Sequence, residues 1–561
     1  MMEIKTVEPK APDKYEAAEA ERTEYVNKIL TSKADKKVVV AGPGTGKTFL
    51  FKKVLNGKTK TLTLSFVNAL VDDLALELYG ISEVRTLHSF GRSELAKILK
   101  KDVNIYSKLS HIIRHDFQVL TGGDIEFDVL FHERKDTDAN LAFYETRRKF
   151  YDCYGFTDVV HAAVKAFETN KNNVPTYEQV LIDEFQDFNE LEVSLIDMLA
   201  EKSPILLAGD DDQALYEFLK NASAHHIRLR HSKEMPEYES FNLPFCARCP
   251  EVVVAATNDL IENAKANGFL KERIKKPYIY LPNKDKDKIS SQFPAIGYTN
   301  KFSTQVPWFI EKCIGETANA LKNKFEVLII TSNNNQVRTI AHSLIKKGFR
   351  NVDYPEKKKD REVNLLDAFD MLIQNKVDNL GWRIIISLLL KSDECDEILK
   401  KSAKDLSINL YKFLSVDFVK AVLQTAKTVK YILQEKTVTP ELLEATFKQF
   451  GLDPNKISSD YLYDEFYALN PPNGHPALRN IPIKVTTIQS SKGLAADVVF
   501  IANFDDRFFL KDGSNISDQD ICNFLVALTR TKKKAFIIST VPKTTPSLLK
   551  WIDRSRIELI K

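Results

Sequence analysis

The chain has 561 residues, too many for one hydrophobic core, so two to four domains are expected. Hydrophobic residues make up 43% and charged residues 28%, which fits a soluble globular protein. Lys plus Arg is 80 against 77 Asp plus Glu, a formal net charge of +3, which argues against a histone-like polycation but leaves room for a local nucleic-acid groove.

The N-terminus, Met-Met-Glu-Ile-Lys-Thr-Val-Glu-Pro-Lys, lacks an apolar signal core. No apolar run approaches the roughly 20 residues that span a bilayer. A cytoplasmic protein with no membrane partner is expected. In chain order, short apolar runs recur at Val38–Val40, Leu62–Phe66, Val180–Ile182, Ile205–Ala208, Val327–Ile330, Val498–Ala502 and Ala535–Ile538. Runs this short and continuous predict strands buried on both faces, as in parallel sheets. They fall into two groups, so the expected fold class is α/β with two doubly wound domains. Residues 90–165 lack such runs and are rich in helix formers. Leu365, Leu366, Phe369, Leu372 and Ile373 recur at helical spacing and open a second helical stretch over 361–477. The charge runs at 284–288 and 356–361 are read as solvated loops. Asn470-Pro471-Pro472-Asn473-Gly474-His475-Pro476 is read as a breaker leading out of the second insert.

Two segments carry chemistry. Ala41-Gly42-Pro43-Gly44-Thr45-Gly46-Lys47-Thr48 follows a valine strand and opens a helix. Backbone N–H groups of such a loop cradle a triphosphate; Lys47 reaches the β- and γ-phosphates and Thr48 supplies a hydroxyl to Mg²⁺. Gly42, Gly44, Thr45 and Gly46 complete the phosphate-binding set. The first loop position is Ala41, not Gly. Asp183-Glu184-Phe185-Gln186-Asp187 closes a later strand. Asp183 is suited to hold Mg²⁺, and Glu184 to take a proton from an attacking water. Cys246-Ala247-Arg248-Cys249 has no second pair to complete a zinc site, and is read as two reduced, partly buried thiols flanking Arg248.

These segments and their successors resemble the UvrD/Rep-type, superfamily 1A, DNA helicases. Asp183 to Asp187 is similar to motif II. Leu64 to Ala69 resembles motif Ia, and Thr86-Leu87-His88-Ser89-Phe90 the segment after it. Ala208 to Tyr216 resembles motif III, Phe245 to Pro250 motif IV, Thr331 to Arg338 the next segment, Thr487 to Leu494 motif V and Val526 to Arg530 motif VI. The resemblance spans residues 38 to 540. It implies RecA-like motor domains over 1–89 with 166–255 and over 256–360 with 478–561, and mainly helical inserts over 90–165 and 361–477. It also implies that Gln213 senses the γ-phosphate and that Arg248 and Arg530 close on it across the cleft. Phe66, Asn68, His88, Tyr216 and Phe218, with Phe90 beside them, are implied to face DNA, where aromatics stack on bases.

The sequence departs from the family at the base and sugar. No Gln precedes Gln118, leaving Glu19 and Glu21 in the region of the usual adenine reader. Ala495 and Ala496 follow Leu494 where a Glu is usual, Gln489 stands for the motif V histidine, and Leu219-Lys220 for an Arg-Gly. The expected function is ssDNA-stimulated ATP hydrolysis driving 3′-to-5′ movement and unwinding, with ATP and Mg²⁺, on single-stranded or forked DNA. The alternative is an ATP-gated nucleic-acid sensor or loader that licenses a partner nuclease with little unwinding of its own; a nuclease or a repair or defence protein is the expected protein partner.

Overall fold

The computed structural model describes residues 13–560 apart from 66–67, 216–220, 323, 356–362, 435–439, 453–479, 513–514 and 542–543. Strands β1 (Lys36–Ala41), β2 (Thr61–Ser65), β3 (Glu83–Thr86), β4 (Gln179–Ile182), β5 (Ile205–Gly209) and β6 (Glu239–Leu243) form one parallel sheet. Their order is β3-β2-β4-β5-β1-β6. The central strands are the apolar runs of the sequence, because helices cover both faces and leave no polar side to alternate with. The edge strands β3 and β6 read Glu-Val-Arg-Thr and Glu-Ser-Phe-Asn-Leu; their half-exposed polar residues hid them from that pattern.

A two-stranded ribbon follows, β7 (Phe245–Cys246) with β8 (Ile279–Tyr280). The second large sheet contains β9 (Ile296–Asn300), β10 (Val327–Thr331), β11 (Val352–Asp353), β12 (Ile483–Thr487), β13 (Ala496–Ala502), β14 (Thr531–Ser539) and β15 (Ile557–Leu559). It is also parallel, in the order β11-β12-β10-β13-β14-β9-β15. Both sheets are therefore doubly wound, and the α/β class holds. The helix Glu251–Ala266 packs its apolar face into the core of the second sheet.

Helices fill the connection from β3 to β4, from Leu87–Leu99 to Phe156–Thr169, and most of that from β11 to β12, from Leu365–Gln374 to Pro440–Gln449. In the helix Leu365–Gln374, Leu365, Phe369 and Leu372 are buried and Leu366 and Ile373 half-buried, the one-sided stripe that their spacing predicts. The two inserts share one core. It runs from Val38 and Leu64 of the first sheet through Phe90, Phe131 and Val160 to Leu372, Trp382 and Ile385. Phe90 is 1% exposed in that core, which corrects its expected place beside DNA: its ring is a packing element.

Asp116 sits at the junction of the inserts, fully buried. Its Oδ2 accepts from Arg147 Nε at 2.8 Å and its Oδ1 from Arg383 Nε at 2.8 Å, so one carboxylate ties the helices Leu109–Thr121, Asn140–Tyr151 and Asn379–Leu389 together. Asn379 Nδ2 also donates to Phe150 O (3.0 Å), and Tyr106 OH to Asp367 (3.0 Å). Among the described residues no helix is long and apolar enough to cross a membrane. The breaker at 470–476 and the charge run at 356–361 lie wholly or largely outside the described residues. The run at 284–288 does not form a loop: Asn283 caps a helix, Lys284–Ser290, from which Lys286 donates to the Ala247 and Cys249 carbonyls at 3.2 Å.

Candidate active site

Strands β4, β5 and β1 are neighbours, so their C-terminal ends bring motif II, motif III and the glycine loop to one edge of the sheet. β1 leads into the loop, where Gly44 has φ 72° and Gly46 φ 96°, conformations that side-chain-bearing residues rarely adopt. Gly46 caps the helix Lys47–Leu55. The first N–H groups of that helix have no partner within it and face the loop, the arrangement that binds anions. Thr45 ties the loop internally, its hydroxyl donating to Gly42 O at 2.8 Å. A Cβ on Gly44 would lie 2.4 Å from the Arg248 Cβ, so glycine is also required by close approach of the second loop.

Lys47 Nζ lies 3.2 Å from Asp183 Oδ1 and hydrogen-bonds Glu184 Oε1. Burial opposes its charge, but the two carboxylates outweigh burial and raise its pKa. Glu184 occupies the left-handed region at φ 53°, a strain of about 1–3 kcal/mol for a non-glycine residue. Burial disfavours its charge too, yet Lys47 and then Lys492 hold it well below the usual carboxylate range. Burial pushes Asp183 up despite Lys47. Asp183 Oδ1 is buried and, apart from its ion pair with Lys47, has no hydrogen-bond partner, so an oxygen of the kind a hard divalent cation takes is freed when Lys47 turns away. With the half-buried Thr48 beside Lys47, the donor set fits Mg²⁺.

The second sheet's side supplies the rest. Arg530, 2% exposed, donates through Nη2 to Gln213 Oε1 at 2.9 Å, and Gln213 Nε2 donates to Asp210 Oδ2 at 2.7 Å. Burial, then the nearby Arg248 charge, lowers the Arg530 pKa to about 10. Lys492 hydrogen-bonds Asp187 Oδ2, donates to Gln213 O at 2.5 Å and lies 3.5 Å from Glu184 Oε2. Burial raises Asp187 to about 7 despite Lys492. Ala247 N donates to Gly44 O at 2.9 Å, which places half-buried Arg248 directly over the glycine loop. Its neighbours Cys246 and Cys249 are free and fully buried, a correction to the expected partial burial. Tyr278 OH donates to Pro43 O at 2.9 Å and lies 3.1 Å from Cys246 Sγ.

Lys47, Asp183, Glu184, Gln213, Arg248 and Arg530 thus converge with the glycine loop. Lys492, Asp187 and Gln186 were missed as site residues, though each stands inside a motif already quoted. Gln186 joins motifs II and III, donating to Glu184 Oε2 (2.7 Å) and accepting from Asp210 N (2.9 Å). Near the loop, the first helix presents Arg22: its Nη2 would lie 3.1 Å from a Cβ on Gly46, while Glu19 accepts from Arg22 Nη1 at 3.0 Å. No spacing rule pointed to Arg22. Of the DNA-facing set, Phe66, Tyr216 and Phe218 lie outside the described residues. Asn68 opens the helix Asn68–Glu77. His88 Nε2 lies 3.9 Å from Glu192 Oε1, and its ring meets Phe156 edge-on.

A family model described as the UvrD/REP helicase N-terminal domain matches residues 131–235. The chain is 21% identical to a probable DNA helicase II homolog of Mycoplasma genitalium, over 92% of this chain and 85% of the relative. It is 21% identical to the ATP-dependent DNA helicase Rep of Buchnera aphidicola, over 88% and 84% of the two chains. With the ATP-dependent DNA helicase PcrA of Staphylococcus epidermidis it shares 22% identity, over 71% and 60%.

Proposed function

We propose that the chain is an ATP-dependent DNA helicase of the UvrD/Rep type, superfamily 1A, as its domain-model match and its helicase relatives support. ATP hydrolysis stimulated by single-stranded DNA drives it 3′ to 5′ and unwinds duplexes. One observation supports this most: charges from both sheets meet at one cleft, with Lys47, Asp183 and Glu184 on one wall and Arg530 and Lys492 on the other. The reading assigns two motor domains, over 1–89 with 166–255 and over 256–360 with 478–561, each interrupted by a helical insert.

Lys47 leaves the carboxylates for the β- and γ-phosphates when nucleotide enters. Losing that ammonium raises the basicity of Glu184, which then orients the attacking water and takes its proton. Thr48 and Asp183 hold Mg²⁺, which neutralises phosphate charge when bound. Arg248 and Arg530 stabilise the charge that develops on the transferred phosphoryl group, a role worth ~10³–10⁵ in rate in other NTPases. Gln213, held by Arg530 on one side and Asp210 on the other, reports the state of the phosphate site to the segment that follows it.

Phosphate release with ATP and with GTP, with and without single-stranded DNA, tests the hydrolysis; strand displacement from 3′- and 5′-tailed duplexes tests the movement. DNA-stimulated ATP turnover with displacement from the 3′-tailed substrate is expected. Turnover without displacement would point instead to the sensor or loader that licenses a partner nuclease.

A further inference from the structure

Motif III places Asp210, Asp211 and Asp212 in a single buried turn, with carboxylate oxygens within 4.8 Å of one another. Such a trio would suit a cation, and one is built into the chain. Lys276 Nζ lies 2.7 Å from Asp210 Oδ1 and 3.0 Å from Asp212 Oδ2, and hydrogen-bonds Asp211 Oδ1. Its side chain is 5% exposed. Arg273, three residues earlier, grips both oxygens of Asp212 through Nε at 2.7 and 2.9 Å. Ile274 N donates to Asp211 Oδ2 at 2.8 Å, and Arg228 Nε at 3.2 Å. The segment that carries these groups ends at Tyr278, whose hydroxyl rests on the glycine loop.

The two oxygens of Asp210 do different things. Oδ1 takes Lys276 and the Asp212 N–H at 3.2 Å; Oδ2 takes the Gln213 amide. An ionised carboxylate only accepts hydrogen bonds. The NH₂ end of Gln213 must therefore face Asp210, and its oxygen must face Arg530, which only donates. The amide orientation follows from its two neighbours and not from how the atoms were assigned.

We infer that Lys276 is a positioning residue for ATP hydrolysis: by holding the Asp210 carboxylate in place, it sets the Gln213 amide, and through it Arg530, for the γ-phosphate. This rests on the ATP-hydrolysing reading above. Without Lys276, three carboxylates crowd one turn with less cationic charge, Asp210 swings away, and the amide loses the contact that orients it.

The test is steady-state phosphate release by the full chain on saturating single-stranded DNA. Lys276→Met is expected to lower kcat about 10- to 100-fold, the scale of a small misplacement, with KM for ATP unchanged; Lys276→Arg restores part of the loss. Asp210→Asn, which can offer Gln213 either a donor or an acceptor, is expected to do the same and covers the case in which Lys276→Met does not fold. Added to Gln213→Ala, either variant should cost nothing further. Effects that multiply with Gln213→Ala, or a KM that rises while kcat holds, would overturn the inference. A wild-type chain that releases no phosphate on DNA would instead sink the underlying functional reading, and this inference with it.

Discussion

Buried charge joins distant parts of this chain both at the insert junction and at the cleft, and these two junctions use different cations. At the insert junction one carboxylate, Asp116, meets two guanidiniums, Arg147 and Arg383, and the Tyr151 hydroxyl. His115 Nδ1 lies 2.9 Å from Arg383 Nη2, and the Arg147 plane lies over Phe150 and Tyr151. Burial works against the Asp116 charge, but Arg383 and Arg147 overcome it and lower its pKa. At the cleft two lysines, Lys47 and Lys492, stand among Asp183, Glu184 and Asp187; Asp187 Oδ1 has no hydrogen-bond partner, and Asp183 Oδ1 none apart from its ion pair with Lys47. A guanidinium is a planar fork that fixes a carboxylate's orientation; an ammonium is a point charge on a flexible stem. The first network is suited to lock helices together. The second keeps unused acceptors and cations able to turn elsewhere, as a site that admits phosphate and metal must.

The largest expected effect breaks the movable network. Lys47→Ala should reduce DNA-stimulated phosphate release by at least ~10³-fold, the scale for groups that neutralise phosphate charge, while Lys492 still holds Asp187 in the folded protein. Residual turnover within tenfold of wild type would rule Lys47 out as the phosphate ligand. The locked network should break differently. Asp116→Ala strands two buried guanidiniums and should cost about 3–5 kcal/mol in urea unfolding. Replacing the set together (Asp116→Leu, Arg147→Met, Arg383→Met) should recover most of that loss. A triple variant as unstable as Asp116→Ala would show that the triad contributes more than mutual neutralisation.

A second carboxylate in the first insert sharpens the contrast. Asp158 is as buried as Asp116, but its one near cation is Arg148, and burial raises its pKa to about 7. It accepts from Gly155 N at 2.5 Å and from Tyr144 OH at 3.1 Å, while Oδ2 has no partner. The folded state holds this proton more tightly than an unfolded chain, whose Asp titrates near 3.9. The contribution is therefore fully present below about pH 4 and is lost as pH rises through about 7, at up to ~1.4 kcal/mol per unit. Asp158→Asn, which keeps both acceptor contacts, should flatten that window and be more stable than wild type at pH 8. An unchanged stability-versus-pH curve would place the proton elsewhere. The smallest effect concerns Phe90: Phe90→Leu should cost under about 1.5 kcal/mol and leave the DNA dependence of ATP turnover unaltered. A weakened DNA response would return that ring to the strand path.

Much of this architecture is legible in the residues. The central strands of the first sheet could be read because burial on both faces keeps them largely apolar; β9 (Ile-Gly-Tyr-Thr-Asn) and β12 (Ile-Lys-Val-Thr-Thr), interior to the second sheet but richer in polar residues, could not. The edge strands β3 and β6 could not, because half-exposed edges carry polar residues. Lys47, Asp183 and Glu184 were legible because a glycine loop or a strand end is a local structure, specified by neighbours in sequence.

What the sequence by itself determined is which groups can bind phosphate, take a proton or stabilise charge, and on which local elements they sit. Which of them meet was decided by tertiary structure alone. Lys492 reaches Asp187 across 305 residues, Arg383 reaches Asp116 across 267, and Lys276 reaches Asp211 across 65. No periodicity or spacing encodes such pairings. They exist because two sheets and two inserts pack together, and because a charge buried by that packing must find an opposite one.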